Sequence, residues 1–494
     1  MEDAVDPSSV LARERLLATL SHEIRTPLNG VLGMAGLLAE TRLDPTQAAY
    51  LKTLRECGEH LLGLVNDILD FAKLSDSGAS LDTAPVDIEA LMQGVCELLS
   101  PRAYAAGIEI AWTVDAALPR VVADEGRLRQ ILFNLAGNAV KLTTEGGVLL
   151  SAAVAPAGIG RCRLRLEVRD TGPGIHAADQ AAIFGEYVQT PTGRQAGGAG
   201  LGLAIVKRLA EAFDGAVGLE SRVGQGSSFW FEAEFDTAKV GEAAPPLDCR
   251  IEVHSPSAVL REAIGGLIAA SGGRMATQYP DVALVDAACF GPRARLKPPP
   301  GPPALILLAP EERRRIPAAR KAGFAGYLIK PLRRASVAAR IGELLGGTAV
   351  PVSRPDERIA APPQIRAHVL VADDNPVNAL LARALLTQIG CSVERASSGE
   401  EAVAAATARP FDLILMDLRM PDMDGLVATQ RLRAAGTSTP IVALTANAFD
   451  EDRRAALAAG MDDFLTKPLD PQALRAVLAR WAGPTTALTA EAAA

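Results

Sequence analysis

The 494-residue sequence predicts a multidomain chain: a helical hairpin able to pair into a four-helix bundle, then an α+β domain, then two doubly wound α/β domains. Three observations predict it. Apolar residues in the first 72 positions step by three and four, as coiled-coil helices do. Between 83 and 236 strand-like and helix-like stretches alternate around glycine clusters. From 248 onward, short apolar strands alternate with amphipathic helices twice over, the pattern of parallel sheets wrapped by helices.

The boundaries expected from these patterns are a hairpin at 8–75, an α+β domain at 83–236, α/β domains at 248–346 and 366–483, a linker at 347–365 rich in Pro and charge, and a disordered Ala/Thr-rich tail at 484–494. Polar breaks near Ser75 to Pro85 and at Asp236 to Pro246 separate the first domains. With 49% apolar and 22% charged residues the composition is ordinary for globular protein, and a net charge of −8 argues against direct nucleic-acid binding. Cys57, Cys96, Cys162, Cys249, Cys289 and Cys391 lack paired spacing, so they are expected as core residues in a reducing cytosol, without zinc or disulfides. No window holds eighteen uninterrupted apolar residues and the start is acidic, so a cytoplasmic chain without membrane contact is expected. The helical pattern begins within the first fifteen residues, so an amino-terminal sensor domain is not expected within this sequence, and input is expected either to enter elsewhere or to lie outside it.

In the hairpin, Leu17, Ile24, Val31 and Leu38 recur every seven residues, with Leu20 and Met34 at the complementary positions. The second helix continues with Leu51, Leu54, Gly58, Leu61, Val65, Ile68 and Ala72. Between them Asp44-Pro45-Thr46-Gln47 supplies an N-cap, a proline at the first helical position and a glutamine that closes a capping box. One hairpin cannot bury two apolar stripes, so a homodimer is expected. His22 falls opposite the seam, in Ser21-His22-Glu23-Ile24-Arg25-Thr26-Pro27. An exposed neutral imidazole flanked by the Glu23 carboxylate and the Thr26 hydroxyl is a nucleophile suited to a phosphoryl donor.

The α+β domain carries a nucleotide pattern. Asp124 caps a helix on which Arg127, Gln130, Asn134, Asn138 and Lys141 share a face while Leu128, Ile131, Leu135 and Leu142 point inward. Two carboxamides four residues apart can serve a hard cation and phosphate, and Asn138 is the choice for magnesium. A strand over 164–168 runs into Asp170-Thr171-Gly172-Pro173-Gly174, where Gly172 and Gly174 let a planar base approach and Asp170 can accept from an adenine amino group. Gly197-Gly198-Ala199-Gly200-Leu201-Gly202 then leads into a helix over 204–213, so backbone N–H groups around Gly198, Gly200 and Gly202 face phosphates. The segment between Phe184 and Gly202 reads as a lid, mobile without nucleotide. Gly224-Gln225-Gly226-Ser227-Ser228-Phe229 closes the series.

With these boxes in order, the first 235 residues resemble the dimerisation and ATP-binding core of a bacterial sensor histidine kinase, whose nucleotide domain is of the GHKL type. The resemblance implies that His22 is the phosphoacceptor, Glu23 its general base, Thr26 a contributor to phosphatase chemistry, Asn138 the magnesium ligand and Asp170 the adenine partner. Leu142 stands where that family commonly has an aromatic residue, a packing difference.

In the last domain, strands over 369–372, 413–416 and 441–444 end at Asp373-Asp374, at Asp417 and at Thr445, and Lys467 precedes Pro468. Such strand ends converge on one crevice. Three carboxylates there call for a divalent cation, which with Lys467 would neutralise an incoming phosphoryl group; Asp417 is the nucleophile and Thr445 the hydroxyl that follows the phosphate. The domain resembles a flavodoxin-like response-regulator receiver.

The domain before it looks like a degenerate copy. Ala322-Gly323-Phe324 with Leu328-Ile329-Lys330-Pro331-Leu332 matches Ala459-Gly460-Met461 with Leu465-Thr466-Lys467-Pro468-Leu469. Asp286 and Lys330 are kept, but Ser255-Pro256 replaces the acidic pair and Ala309 the switch hydroxyl, so no phosphate acceptance is expected. Arg313, Arg314 and Arg315 open a helix, Tyr327 stands on a strand and Arg333 follows Lys330, a basic and aromatic set able to hold a cyclic dinucleotide or simply a solvated face. The full architecture resembles hybrid histidine kinases of the ShkA type, whose pseudo-receiver binds cyclic di-GMP. That resemblance implies a ligand site at Arg313, Tyr327 and Arg333, release from an inhibited arrangement involving a linker motif matched by Asp356-Glu357-Arg358, and a phosphorelay using ATP and Mg2+ from His22 to Asp417, a histidine phosphotransfer protein and a downstream response regulator. Two alternatives stay open: a GHKL-type ATPase machine, and a ligand-sensing scaffold that drains phosphate through Thr26 and Asp417.

Overall fold

The structure, a computed structural model, describes residues 28, 30–36, 38, 39, 41–44, 46–55, 57, 58, 61, 63, 81–116, 118–188, 200–238, 247–291, 294–346, 365–445, 450–467 and 469–482. Two compact units share the chain: one holds the described residues 81–346, the other those of 28–63 and 365–482.

The first unit begins with β1 (Ala84–Val86), α1 (Ile88–Ala105), β2 (Glu109–Val114), β3 (Arg120–Ala123), α2 (Glu125–Leu142), β4 (Gly147–Pro156) and β5 (Arg161–Asp170). The short α3 (Ala177–Gln180), α4 (Gly202–Ala212), β6 (Ala216–Arg222) and β7 (Gly226–Ala238) complete the nucleotide-domain candidate. Its seven-stranded sheet runs β1-β3-β7-β5-β4-β2, with β6 also on β7, and only β2 and β4 pair in parallel. The expected breaks are therefore shorter than the polar composition suggested. Ala84–Val86 pairs with β3, and β7 runs two residues past Asp236 because Thr237 and Ala238 pair with Val121 and Arg120.

Helix α2 shows how sequence positions the site. Asp124 caps it by accepting from the Arg127 N–H at 3.0 Å. Leu128, Ile131, Leu132, Leu135, Ala136, Ala139 and Val140 are buried against the sheet, so Asn134 and Asn138 are left half-buried on another face. Helix α4 starts at Gly202, inside the glycine box rather than after it, and no side chain caps it. Leu201 is fully buried and pins that end, so the N–H groups of the first turn stay unclaimed by a cap.

The same unit continues with β8 (Arg250–His254), α5 (Ala258–Ala270), β9 (Arg274–Met275), β10 (Val282–Asp286), β11 (Ala304–Leu308), α6 (Ile316–Ala322), β12 (Gly326–Ile329) and α7 (Arg334–Leu344). Its five strands pair in parallel in the order β9-β8-β10-β11-β12. The regular strand and helix alternation expected here is incomplete. Among the described residues no α-helix separates β9 from β10 or β10 from β11, and a single 3-10 turn, Ala287–Cys289, stands in the second gap. Prolines 298, 299, 300, 302 and 303 explain that gap, since they offer no N–H for a helical ladder. One apolar core runs from Val86 to Ile341 through both domains. Helix α5 lies directly on β2, and Gly266 permits this, because a side chain there would overlap Thr113.

In the second unit the described residues between 28 and 39 and between 46 and 63 are helical. The capping box between them is present: Asp44 Oδ1 accepts from the Thr46 and Gln47 N–H groups at 2.9 and 2.8 Å, and Gln47 Oε1 accepts from the Asp44 N–H at 3.1 Å. The carboxy-terminal domain comprises β13 (His368–Ala372), α8 (Pro376–Ile389), β14 (Ser392–Ala396), α9 (Gly399–Ala408), β15 (Leu413–Asp417), α10 (Gly425–Ala434), β16 (Ile441–Thr445), α11 (Asp450–Ala458), β17 (Asp463–Thr466) and α12 (Pro471–Trp481). Its all-parallel sheet runs β14-β13-β15-β16-β17, the flavodoxin-like order and the same order as in the middle domain.

Cys96, Cys162, Cys249 and Cys391 are buried as expected, whereas Cys57 and Cys289 are exposed. The first sits on a helix of the hairpin and the second ends the 3-10 turn that replaces a covering helix, so neither has a layer above it.

Candidate nucleotide and phosphoacceptor sites

Asp170 ends β5 as a buried carboxylate. Its Oδ1 accepts from the Gly172 N–H at 2.8 Å and the Ser227 N–H at 3.2 Å. Burial pushes its carboxyl above the ordinary aspartate range, with these two N–H groups pulling the other way. The glycines around it are steric requirements. A side chain on Gly226 would overlap the Asp170 carbonyl, Gly174 has φ of 71°, and a Cβ on Gly172 would lie 2.9 Å from Asp170 Oδ1. Thr171 ties the end of β5 to the turn between α2 and β4: its hydroxyl donates to the Glu145 carbonyl at 2.7 Å and accepts from the Gly147 N–H at 2.9 Å. Asn134 Nδ2 donates to the Gly202 carbonyl at 3.3 Å, and a Cβ on Gly202 would meet Asn134 and Asn138 side-chain atoms at 3.9 Å. The structure therefore brings Asn134, Asn138 and Gly202 together, with Gly200 at φ of 72° just before the helix start. Lys141 is exposed in the last turn of α2. Gly198 and most of the expected lid lie outside the described residues.

The second site sits at the strand ends of the carboxy-terminal sheet. Carboxylate oxygens of Asp373, Asp374 and Asp417 lie within 4.8 Å of one another. Lys467 Nζ reaches Asp373 Oδ2 at 2.6 Å and Asp417 Oδ2 at 2.5 Å. Burial raises the Asp417 carboxyl above its usual range, Lys467 opposes the rise, and the neighbouring Asp373 adds to it. Thr445, the last residue of β16, is buried beside this end of the sheet. Three convergent hard oxygen donors with a lysine across from them fit a magnesium-sized cation and a transferable anion.

Residues 12–77 match the family description His Kinase A (phospho-acceptor) domain, 123–237 the histidine kinase-, DNA gyrase B- and HSP90-like ATPases, and 369–479 the response regulator receiver domain. The chain is 33% identical to the sensor histidine kinase GacS of Pseudomonas protegens over 98% of its own length, and 30% identical to the signal transduction histidine-protein kinase BarA of Escherichia coli K12 over 95%. It spans 56% and 54% of those relatives, about half their length. The crystal structure of full-length ShkA in complex with AMPPNP is 52% identical, with a TM-score of 0.61, covering 94% of this chain and 99% of that one. The chain belongs to the hybrid sensor histidine kinases.

In this hybrid kinase the residues expected to start the relay, His22, Glu23 and Thr26, lie outside the described residues, as do the linker residues Asp356, Glu357 and Arg358 and the tail. Among the described residues no helix is long and apolar enough to cross a membrane.

The middle domain departs from expectation in three ways. Strand pairing sets Asp286 opposite Leu307 and Asp417 opposite Leu444, so the residue in register with Thr445 is Leu308 rather than Ala309. The hydroxyl is missing either way. Arg313, Arg314 and Arg315 end a 3-10 turn, Pro310–Arg315, instead of opening a helix, because Pro310 sits at its start and Glu312 Oε2 accepts from the Ala309 N–H at 3.1 Å. Tyr327 is only 7% exposed and packs in the apolar cluster of β10 and β11, while Arg333 makes a two-pronged pair with Glu97 of α1. Glu89, Glu97 and Glu109, which engage the basic segment 330–334, escaped sequence reading, since single acidic residues on a helix and at a strand start carry no pattern.

Proposed function

We propose that the chain is an ATP-dependent protein-histidine kinase that works as a homodimer, phosphorylates His22 and passes the phosphoryl group to Asp417, from which a histidine phosphotransfer protein carries it to a response regulator. The observation that carries this reading is the presence in one chain of both halves of the chemistry: a glycine-walled pocket with a buried carboxylate, and a separate three-carboxylate crevice with its lysine.

Asp170 accepts from the amino group of adenine, and the glycines beside it leave room for the ring plane. Asn134 and Asn138, with the first turn of α4, hold the phosphates. Glu23 takes the imidazole proton, the His22 ring nitrogen forms a bond to the γ-phosphorus, and the bond to the bridging oxygen breaks as ADP leaves. A carboxylate oxygen of Asp417 then bonds to phosphorus and the N–P bond breaks, returning its electron pair to the imidazole. Mg2+ held at Asn138, and a second ion at Asp373, Asp374 and Asp417, would neutralise charge on the group in transfer. Lys467 pairs with a phosphate oxygen and Thr445 follows it.

The middle domain is read as a receiver-derived module, from its strand order, that has lost its acceptor function and binds cyclic di-GMP through Arg313, Tyr327 and Arg333 to activate the kinase. Arg333 presents its guanidinium in two-pronged anion-binding geometry, now taken by Glu97, which an incoming phosphate would have to displace.

Incubation with γ-labelled ATP tests the relay: wild type incorporates label, His22→Ala incorporates none, and Asp417→Asn traps acid-labile label on histidine. Label persisting on His22→Ala refutes the assignment. Calorimetric titration of cyclic di-GMP separates the ligand claim: heat with wild type and its loss in Arg313→Ala are expected, and equal heats remove the site.

A further inference from the structure

The acceptor pockets of the two α/β domains differ in where the lysine finds its second carboxylate. In the carboxy-terminal domain Lys467 is held by Asp417 and by Asp373 of the same sheet. In the middle domain Lys330 Nζ lies 3.3 Å from Asp286 Oδ1, and Ser255, in register with Asp373, gives only a hydroxyl, which donates to Asp286 Oδ2 at 2.7 Å. The missing carboxylate comes from another domain. Glu109, the first residue of β2 in the nucleotide domain, puts Oε2 2.7 Å from Lys330 Nζ.

All three side chains are enclosed, Lys330 at 6%, Glu109 at 10% and Asp286 at 0% exposure. Glu109 Oε1 is buried with no hydrogen-bond partner, so Lys330 is the principal compensation for that charge. Two further pairs come from the same short segment: Arg333 Nε to Glu97 Oε1 at 2.7 Å, and Arg334 Nε to Glu89 Oε1 at 2.9 Å, both acceptors on α1. Arg169 of β5 and Glu262 of α5 form a further ion pair between the two domains.

We propose that the degenerate acceptor pocket of the middle domain is a carboxylate socket occupied by Glu109, and that with the clamp formed by Arg333 and Arg334 it makes the nucleotide and middle domains one mechanical body. The socket goes beyond the kinase reading and does not depend on it. The pocket geometry that a receiver uses to hold a phosphoryl anion is kept, and its occupant is now a side chain of the same polypeptide. The second consequence concerns Arg333: any anion that engages this guanidinium must displace Glu97, so it works against the seam.

Hydrogen exchange of the full chain tests the socket, read at the seam amides of β2 and α5 against those of the carboxy-terminal sheet. Glu109→Gln should speed seam exchange by about tenfold and leave the other sheet unchanged. Lys330→Met should open the seam further, since it leaves two carboxylates facing each other, and adding Glu109→Gln to it should restore part of the protection. Should Lys330→Met fail to fold, the half-exposed pair decides: Glu97→Arg and Arg333→Glu each speed seam exchange, and the double swap slows it again. The proposal is overturned by Glu109→Gln exchanging within about twofold of wild type, by a Lys330→Met effect that Glu109→Gln does not relieve, or by a double swap no better than its singles.

Discussion

Asp170 illustrates a conflict settled at one residue. As the proposed acceptor for an adenine amino group, Asp170 works best ionised, while burial at the end of β5 works against ionisation and two backbone N–H groups oppose that effect. With its folded-state pKa above the unfolded value, this group favours folding fully at pH below the unfolded pKa, and the contribution is lost as pH rises through the folded one. At neutral pH the ionised carboxylate therefore carries a burial cost, which an amino group donating to it, as proposed for adenine, would offset. Asp170→Asn should accordingly melt no lower than wild type at pH 7 without nucleotide, lose that advantage toward about pH 4, and show no rise in Tm on adding ATP. Thermal melts across a pH series, with and without nucleotide, check all three; a nucleotide-dependent rise retained by the variant would remove Asp170 from the pocket.

At the level of elements, caps and glycines carry much of the architecture. Asp124 both caps α2 and accepts from the Asp82 N–H at 3.2 Å, tying the helix start to the strand that enters the domain. Asp124→Ala should destabilise the nucleotide domain by about 1–2 kcal/mol, seen as a lower first thermal transition, with the carboxy-terminal domain unaffected. The repeat is written in the same terms. Gly323 and Gly460 close helices α6 and α11 with φ of 100° and 96°, and the next N–H of each, on Phe324 and Met461, returns to Ala319 and Ala456. A side chain at either glycine is strained, so Gly460→Ala should lower receiver stability by about 1–2 kcal/mol in denaturant titration.

Across the whole molecule, the hairpin leaves its seam open in a single chain: Val31, Met34, Leu38, Leu54 and Leu61 are 40–49% exposed. These positions belong to the sequence repeat, which is what a second copy would cover. Leu38→Glu should shift sedimentation from dimer to monomer at micromolar concentration and slow labelling if phosphorylation crosses between subunits. A dimer of unchanged stability would place the interface elsewhere. The hairpin's contribution to the relay then depends on His22, whose role rests on its motif.

Local chemistry determined much of this protein without tertiary information. Periodicity marked the helices, the Asp44 to Gln47 capping box and the Asp124 cap formed as written, and Asp373, Asp374, Asp417 and Lys467 met because parallel strands deliver their ends to one crevice. Such features are short-range, or follow from a topology with few alternatives. Tertiary structure alone decided the fate of the middle domain. Ladder register moved the switch position to Leu308, and packing of α5 on β2 carried Glu109 of the nucleotide domain into a middle-domain pocket that lacks one carboxylate. A carboxylate and a lysine 221 residues apart have no periodicity to relate them; only burial in a shared core brings them within bonding distance.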